Sequence, residues 1–475
     1  MQNDSEDDVM TAPDLDAKPD LSDIYTEDGS VRQDFLAMVG AAIADRDVIY
    51  LRRNVGRLHV SELGDVLEAI VPDQRISLIR LLGDEFDLAA LTEVDEAIRL
   101  EIVEQIPNDA IAAAIGELDS DDAVYILEDM DDEDREEILA KLPFTERVRL
   151  RRALDYPESS AGRRMRSEFV AVPPFWTVGQ CIDYMREDDD LPESFTEIFV
   201  IDPTFKLMGV VDLDKILRSQ RGGKVEDIMR ETNHPIPAEM DQEEAAQLFE
   251  QYDLLSAAVV DENGRLVGVL TIDDVVDVIH EEAEEDIKRL AGVGDEELSD
   301  NVMSTVRSRF LWLFINLGTA FLSSTVIGVF DATIEQMVAL AVLMPIVASM
   351  GGNAGTQTMT VTVRALATRD LDIYNAGRII RRELGVGTTN GLLFATMVGL
   401  VAGLLYHDYH LGIVIGLALF VNFIAAALAG NLVPLLLNRF GADPAVASSV
   451  FVTMVTDLTG FFGFLGLATL WFGFR

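Results

Sequence analysis

The sequence predicts a multidomain chain: an all-α superhelical N-terminal domain, an α+β pair of tandem modules, and a five-helix α transmembrane domain. Three observations predict it. Charge is confined to one side of the chain: from Asn301 onward there are nine arginines, no lysine and eight acidic residues, which leaves 28 basic and 75 acidic residues before it. Up to about Leu154 the apolar residues recur with a helical period, whereas two later stretches repeat a β-rich pattern about 60 residues apart. After residue 304, five apolar runs each reach the roughly 20 residues that cross a bilayer.

The acidic surplus, a net −46 over 475 residues, makes nucleic acid and anionic lipid poor partners and divalent cations plausible ones. A halophile-like solubilising surface accounts for the same composition. The single cysteine, Cys181, excludes an internal disulfide and fits a reducing cytosol. The acidic, polar N-terminus has no basic stretch leading into an apolar one, so no cleavable signal peptide is expected. Residues 1–30 read as a disordered acidic tail.

From 31 to 154, segments such as SELGDVLEAIVPDQRISLIRLL and EDREEILAKLPFTERVRLRRAL read as successive short helices. An acidic helix end, a Pro or Asp turn, then Arg and a Leu-rich turn recur, as in a small superhelical repeat. Asp119, Asp121 and Asp122 read as an acidic helix start.

The texture changes at 155. Glu197–Ser219 (EIFVIDPTFKLMGVVDLDKILRS) and Ser256–Ile279 (SAAVVDENGRLVGVLTIDDVVDVI) each read as strand, turn, strand and helix. These two copies resemble a tandem CBS pair, with expected limits of 155–222 and 223–280. That resemblance implies a nucleotide or ion site, with Thr271 and Asp274 of the second copy as candidate ribose contacts; the first copy has Asp212 where that threonine stands. The stretch that follows, with Val276, Ile279, Ala283, Ile287 and Leu290 on one stripe, is amphipathic, and its other faces carry eight carboxylates between Asp273 and Asp286. A connecting helix is expected at 281–303.

Within 304–475 the expected membrane helices are Phe310–Phe330, Met337–Val363, Val386–Tyr406, Leu411–Leu437 and Pro444–Phe472. Arginines precede the first and lie between the second and third and between the fourth and fifth; the DATIEQ and HDYH loops carry neither Lys nor Arg. The positive-inside rule then puts the N-terminus in the cytoplasm and the C-terminus outside.

Chemistry enters with the second membrane helix, PIVASMGGNAGTQTMT (Pro345–Thr360). Asn353, Thr356 or Gln357, and Thr360 recur at three- and four-residue spacing and form one polar stripe that lipid cannot satisfy. A close-packed small-residue seam is the plainer alternative for Gly351, Gly352 and Gly355. The fifth helix holds one ionisable residue, Asp457, whose charge costs several kcal/mol in lipid unless it meets water, a partner or an ion. Thr453 and Gly460 share its face at helical spacing. No membrane-embedded histidine or second acid completes a proton relay, so a cation site is expected. Mg2+ fits a site of so few carboxylates, because it keeps its waters and binds through one or two. Two chains around a shared axis would supply the set.

The acidic helical repeat, the CBS pair, the connector DVIHEEAEEDIKRLAGV, the GGNAGTQ stretch and MVTDLTGFFGFLGLA together resemble the MgtE family of magnesium channels, over essentially the whole chain after residue 30. The resemblance implies a homodimer with its pore on the dimer axis, in a bacterial inner (plasma) membrane, with no obligate protein partner. Asp457 matches the family's pore carboxylate and Asp443 an acid near the cytosolic mouth. Asp241, Glu243, Asp253, Asp274, Asp277, Glu282, Glu285 and Asp286 match acids that bind regulatory Mg2+, and ATP is a candidate ligand of the CBS pair. Where the family usually carries AGGLMT, this chain has AGRRMR (Ala161–Arg166). The function expected is a Mg2+ channel, not an enzyme, closed by its own cargo. Like charges about 8 Å apart at an effective dielectric near 20 repel by roughly 2 kcal/mol. Several such pairs would supply the roughly 5.5 kcal/mol that swings a two-state gate. A proton- or Na+-coupled divalent-cation transporter is the alternative.

Overall fold

In the computed structural model, residues 21–188, 191–192, 194–231, 234–293, 302–367 and 376–473 are described. Residues 1–20 of the expected tail and 294–301 of the expected connector lie outside them. The chain divides into two compact units, one ending at Glu281 and one beginning at Glu282.

The first unit opens with a correction. Leu21–Ile24 is a short helix whose Ile24 is fully buried in the helical core, and Tyr25 donates a hydrogen bond to Asp65 Oδ2 at 2.6 Å. Two apolar side chains among the carboxylates are enough to dock this end of the tail. Short helices then follow from Gln33–Asp45 to Phe144–Leu154 around one continuous core that includes Val39, Leu67, Leu91, Ile111 and Leu139. The recurring arginine has a structural reason. Arg75 Nε donates to Leu67 O at 2.8 Å, Arg99 Nη1 to Leu91 O at 3.4 Å, Arg135 Nη1 to Glu128 O at 3.5 Å and Arg147 Nη1 to Ala140 O at 3.4 Å. Each guanidinium reaches back to the last turn of the preceding helix, where carbonyls lack intrahelical partners.

Two three-stranded sheets follow, β1 (Ala171–Val172), β2 (Glu197–Ile201) and β3 (Leu207–Asp212), then β4 (Ile236–Pro237), β5 (Ser256–Val260) and β6 (Leu266–Thr271). In each, the first pair is parallel and the second antiparallel, with a register shift at the same place, Val200/Ile201 and Val259/Val260. The helices Val178–Glu187 and Gln242–Tyr252 make the crossovers that parallel pairing requires. Phe199 and Val210 of one sheet pack with Ala258, Leu266 and Val269 of the other, so the repeats share a core. The hairpin turns differ. Gly264 has φ +75°, whereas Phe205 takes φ +64° at the same place, a left-handed conformation rare for a bulky residue.

From β6 the chain runs without a break into the helix Ile272–Leu290. The expected boundary at 280/281 therefore falls inside a helix, since no Gly or Pro interrupts the stripe before Gly292, at φ +73°.

Among the described residues the second unit holds five helices long and apolar enough to cross a membrane: Val302–Val329, Ala339–Ala367, Ala376–Leu405, Tyr409–Arg439 and Pro444–Phe472. The third starts ten residues before the expected Val386, because the Arg-rich segment from Ala376 continues the helical period. The fourth is central and packs on the second, third and fifth; the first packs on the fifth. Close approach of the third and fourth rests on paired glycines, since a Cβ on Gly412 would lie 2.4 Å from Gly399 O.

Candidate ion path and acidic clusters

In the second membrane helix, the face bearing Gly351, Gly355, Thr358, Met359, Thr362 and Val363 is buried against its neighbours. Asn353, Thr356, Gln357 and Thr360 fall on the other face, and all four are exposed on the protomer. The glycines and the polar stripe thus have separate work on opposite sides of one helix. Thr360 donates to Thr356 O at 3.0 Å, so its hydroxyl is satisfied locally.

On the fifth helix Thr453 is exposed and Asp457 half-buried, while Thr456 is buried and donates to Thr453 O at 3.0 Å. Among the described residues no ion pair engages Asp457. Gly460 does not lie on an open wall. It is buried, and a Cβ there would sit 2.8 Å from Asn422 Nδ2, so its place is close packing on the fourth helix. Helical spacing puts Gly460 near the stripe but cannot say that a neighbouring helix covers it.

The sequence reading missed two polar residues that hold the bundle. Asn422, fully buried, donates to Val347 O at 2.9 Å, and among the described residues its Oδ1 has no hydrogen-bond partner. Asn431, also buried, accepts from Thr362 Oγ1 at 3.1 Å. Each is a lone amide in an apolar run on a helix buried around most of its circumference, which is the signal that was available.

Asp443 caps the fifth helix, with Oδ1 accepting from Ala445 N at 2.7 Å and Oδ2 from Arg289 at 2.6 Å. Arg289 also pairs with Glu285, one turn back. Burial raises the pKa of Asp286, and Asp443 and Glu282 raise it further. Glu285 and Asp443, expected as ion ligands from separate parts of the sequence, thus share one guanidinium, and Asp286 stands close enough to Asp443 and Glu282 to feel their charge.

A second cluster lies in the first unit. Thr271 Oγ1 donates to Asp274 Oδ2, and Arg166 Nη2 donates to Asp274 Oδ1 at 2.8 Å, so both oxygens of the expected ribose contact are engaged by protein groups. Asp277 has its pKa raised by burial, then by Asp274 and Asp273. Facing them are Asp121 and Asp122 of the helix Ser120–Glu128. Asp121 is raised well above the usual carboxylate range by burial and by Asp274; Asp122 is raised to about 6, chiefly by burial. Asp121 Oδ1 is buried, and the Asp121 carboxyl is close enough to that of Asp274 to share a proton with it. Composition reads Asp121 as a helix-start acid; that it meets Asp274 is a contact between distant stretches.

Asp241 caps Gln242–Tyr252 through Glu243 N at 2.9 Å, Glu243 accepts from Gln247 at 3.2 Å, and Asp253 ends the same helix in a left-handed conformation. Twelve steps of about 1.5 Å each separate Asp241 from Asp253 by roughly 18 Å, so the fold of this chain does not bring them together. Among the described residues no group of three or more His, Cys, Asp or Glu side chains is arranged to hold a metal by itself.

Comparison with known proteins agrees with this layout. A family model described as a divalent cation transporter, MgtE, matches residues 344–467; the MgtE intracellular N domain matches 58–159, and the CBS domain matches 161–222 and 225–281. The chain is 31% identical over 447 residues to the magnesium transporter MgtE of Bacillus subtilis, covering 94% of this chain and 95% of that one. It is 37% identical over 320 residues to the magnesium transporter MgtE of Thermus thermophilus, covering 66% and 70%. Among solved structures, the cytosolic domain of the Mg2+ channel MgtE in complex with ATP is 28% identical, with a TM-score of 0.35, covering 46% of this chain and 95% of that one. The chain is an integral membrane protein and belongs to the MgtE family.

Proposed function

We propose that this protein is a homodimeric Mg2+ channel of a bacterial inner membrane, with its N-terminal domains in the cytoplasm. One observation carries the reading. On a helix long and apolar enough to span a membrane, Asn353, Thr356, Gln357 and Thr360 are exposed while the opposite face is buried. Lipid cannot hydrogen-bond such groups, so a second copy and a water-filled path must cover them. Asp457, half-buried on the adjoining fifth helix, supplies the charge; paired across the axis, two such carboxylates suit a hydrated Mg2+. A single acid in the middle of the fifth helix favours passage of the ion over relay of a proton, since the buried Glu383 lies near the start of the third helix. The relatives named magnesium transporters support the same cargo.

Cytosolic Mg2+ is the proposed regulator, acting on the acids around Asp274 and Asp277 and on Glu282, Glu285, Asp286 and Asp443, with Asp241, Glu243 and Asp253 as further ligands. The crowding of the Asp121, Asp122 and Asp274 carboxyls supports a cation there. ATP at Thr271 and Asp274 is part of the proposal, and it requires the Arg166 contact to be shared or displaced.

The test is Mg2+ uptake into liposomes holding the purified protein, with a Mg2+ gradient and no proton or Na+ gradient. The channel reading expects uptake in the wild type and its loss in Asp457→Ala. Uptake only when a proton or Na+ gradient is added would establish the coupled transporter instead.

A further inference from the structure

We propose that Arg166 is a tethered cation that clasps the helical domain to the second CBS repeat without a divalent ion, and so lowers the Mg2+ this contact needs. Its guanidinium meets four carboxylates from two elements. Nε donates to Asp121 at 2.9 Å and Nη1 to Asp119 at 3.1 Å, both at the start of the helix Ser120–Glu128. Nη2 donates to Asp273 at 2.9 Å and Asp274 at 2.8 Å, at the start of the helix Ile272–Leu290. A planar fork with five donors suits this bridging, which a point charge would not reproduce.

The arginine is itself anchored. Arg166 N donates to Val269 O at 2.8 Å and Val269 N to Arg166 O at 2.9 Å, which ties its backbone to β6. Burial works against its charge, but Asp121 and Asp274 outweigh burial and raise its pKa. Its neighbours repeat the device: Arg164 pairs with Glu281 at 2.7 Å and Arg163 with Glu128 at 3.8 Å. The basic residues of AGRRMR thus stand as built-in counter-ions in an otherwise acidic surface. Next to them Ser120 closes the contact, its Oγ accepting from Ser167 N at 2.7 Å and donating to Glu168 at 2.7 Å.

Those serine contacts give a readout that does not depend on transport. Amide hydrogen exchange of the full-length protein, in detergent, reports on Ser120 N, which donates to Glu168 at 3.3 Å, and on Ser167 N. In EDTA the wild type is expected to protect both. Arg166→Gln is expected to exchange there at least roughly tenfold faster and to regain protection when Mg2+ is added. Arg166→Lys, which keeps the charge and loses the fork, is expected to fall between. Equal protection of wild type and Arg166→Gln in EDTA would overturn the proposal, as would a wild type unprotected until Mg2+ is supplied. Amides of β5 and β6 monitor folding. If Arg166→Gln loses those too, Arg166→Lys decides, and its full protection in EDTA would count against the fork. The proposal's effect on gating rests on the Mg2+-regulated channel reading. A protein that carried no Mg2+ would sink that reading and leave the exchange result standing.

Discussion

A methyl group added to Gly351 tests the packing that holds the polar stripe in place. In Gly351→Ala the new carbon would lie 2.1 Å from Asn422 Nδ2 and 2.8 Å from its Cγ. Asn422 has nowhere to go: it is fully buried, and its amide is held by Val347 O at 2.9 Å. Overpacking a filled core costs about 1–3 kcal/mol. Stranding a buried amide costs about 1–3 kcal/mol more. The sum, roughly 2–5 kcal/mol, corresponds to a Tm loss of about 4–20 °C for a bundle of this size. Because the clash is on the buried face of the second helix, relief by displacement would move the exposed face with it, so Mg2+ uptake is expected to fall as well. Thermal unfolding in detergent and liposome uptake read the two effects. The double variant Gly351→Ala with Asn422→Ala removes the obstruction and is expected to recover most of the Tm. A single variant with wild-type Tm, or a double variant with additive losses, would refute the reasoning.

On the channel and gating proposed above, Asp274→Ala with Asp277→Ala is expected to keep conducting at cytosolic Mg2+ that shuts the wild type, and unchanged gating in flux measurements would remove both acids from the proposed sensor. Arg99 is buried, pairs with Asp129 at 2.5 Å and donates to two carbonyls, so Arg99→Met is expected to destabilise the helical domain by about 2–4 kcal/mol in thermal unfolding, less than a fully buried pair would lose because the stranded Asp129 side chain is 20% exposed. Glu128 has its pKa raised to about 7, chiefly by burial. A raised carboxylate contributes stability below its unfolded pKa and loses it as pH rises through the folded one. The window is therefore about pH 4.5 to 7, and the loss is on the order of 3 kcal/mol. Glu128→Gln is expected to slow hydrogen exchange of Ser120–Glu128 relative to wild type at pH 8 and not at pH 5; a difference independent of pH would contradict this.

The legible parts of this chain were those written in local spacing. Apolar runs of 20 or more residues, the Val-Val-Asp hairpins and the stripe from Asn353 to Thr360 need only the helix or strand period to be placed. The missed parts depend on residues far apart. Arg166 reaches Asp121 across 45 positions and Asp274 across 108, and nothing in the local pattern around any of them announces the meeting. β1 and β4 are two residues long and exist because β2 and β5 pair with them. Gly460 lies within reach of the stripe by angle, yet Asn422 of the fourth helix covers it. Period fixes the face of a helix, and only the neighbour decides whether that face is open.

The backward-reaching arginines of the N-terminal domain tie four of its helices to the turns that precede them. Such a chain of one-way tethers behaves like a zip: a repeat can be lost from the front only by orphaning the guanidinium behind it. Losing the chain up to Leu67 would take from Arg75, only 7% exposed, its 2.8 Å carbonyl contact and leave it the Glu101 pair at 3.0 Å, so the helix Pro72–Leu82 would loosen first. Movement of the helix Asp132–Lys141 would for the same reason be felt by Phe144–Leu154, whose Arg147 holds Ala140 O.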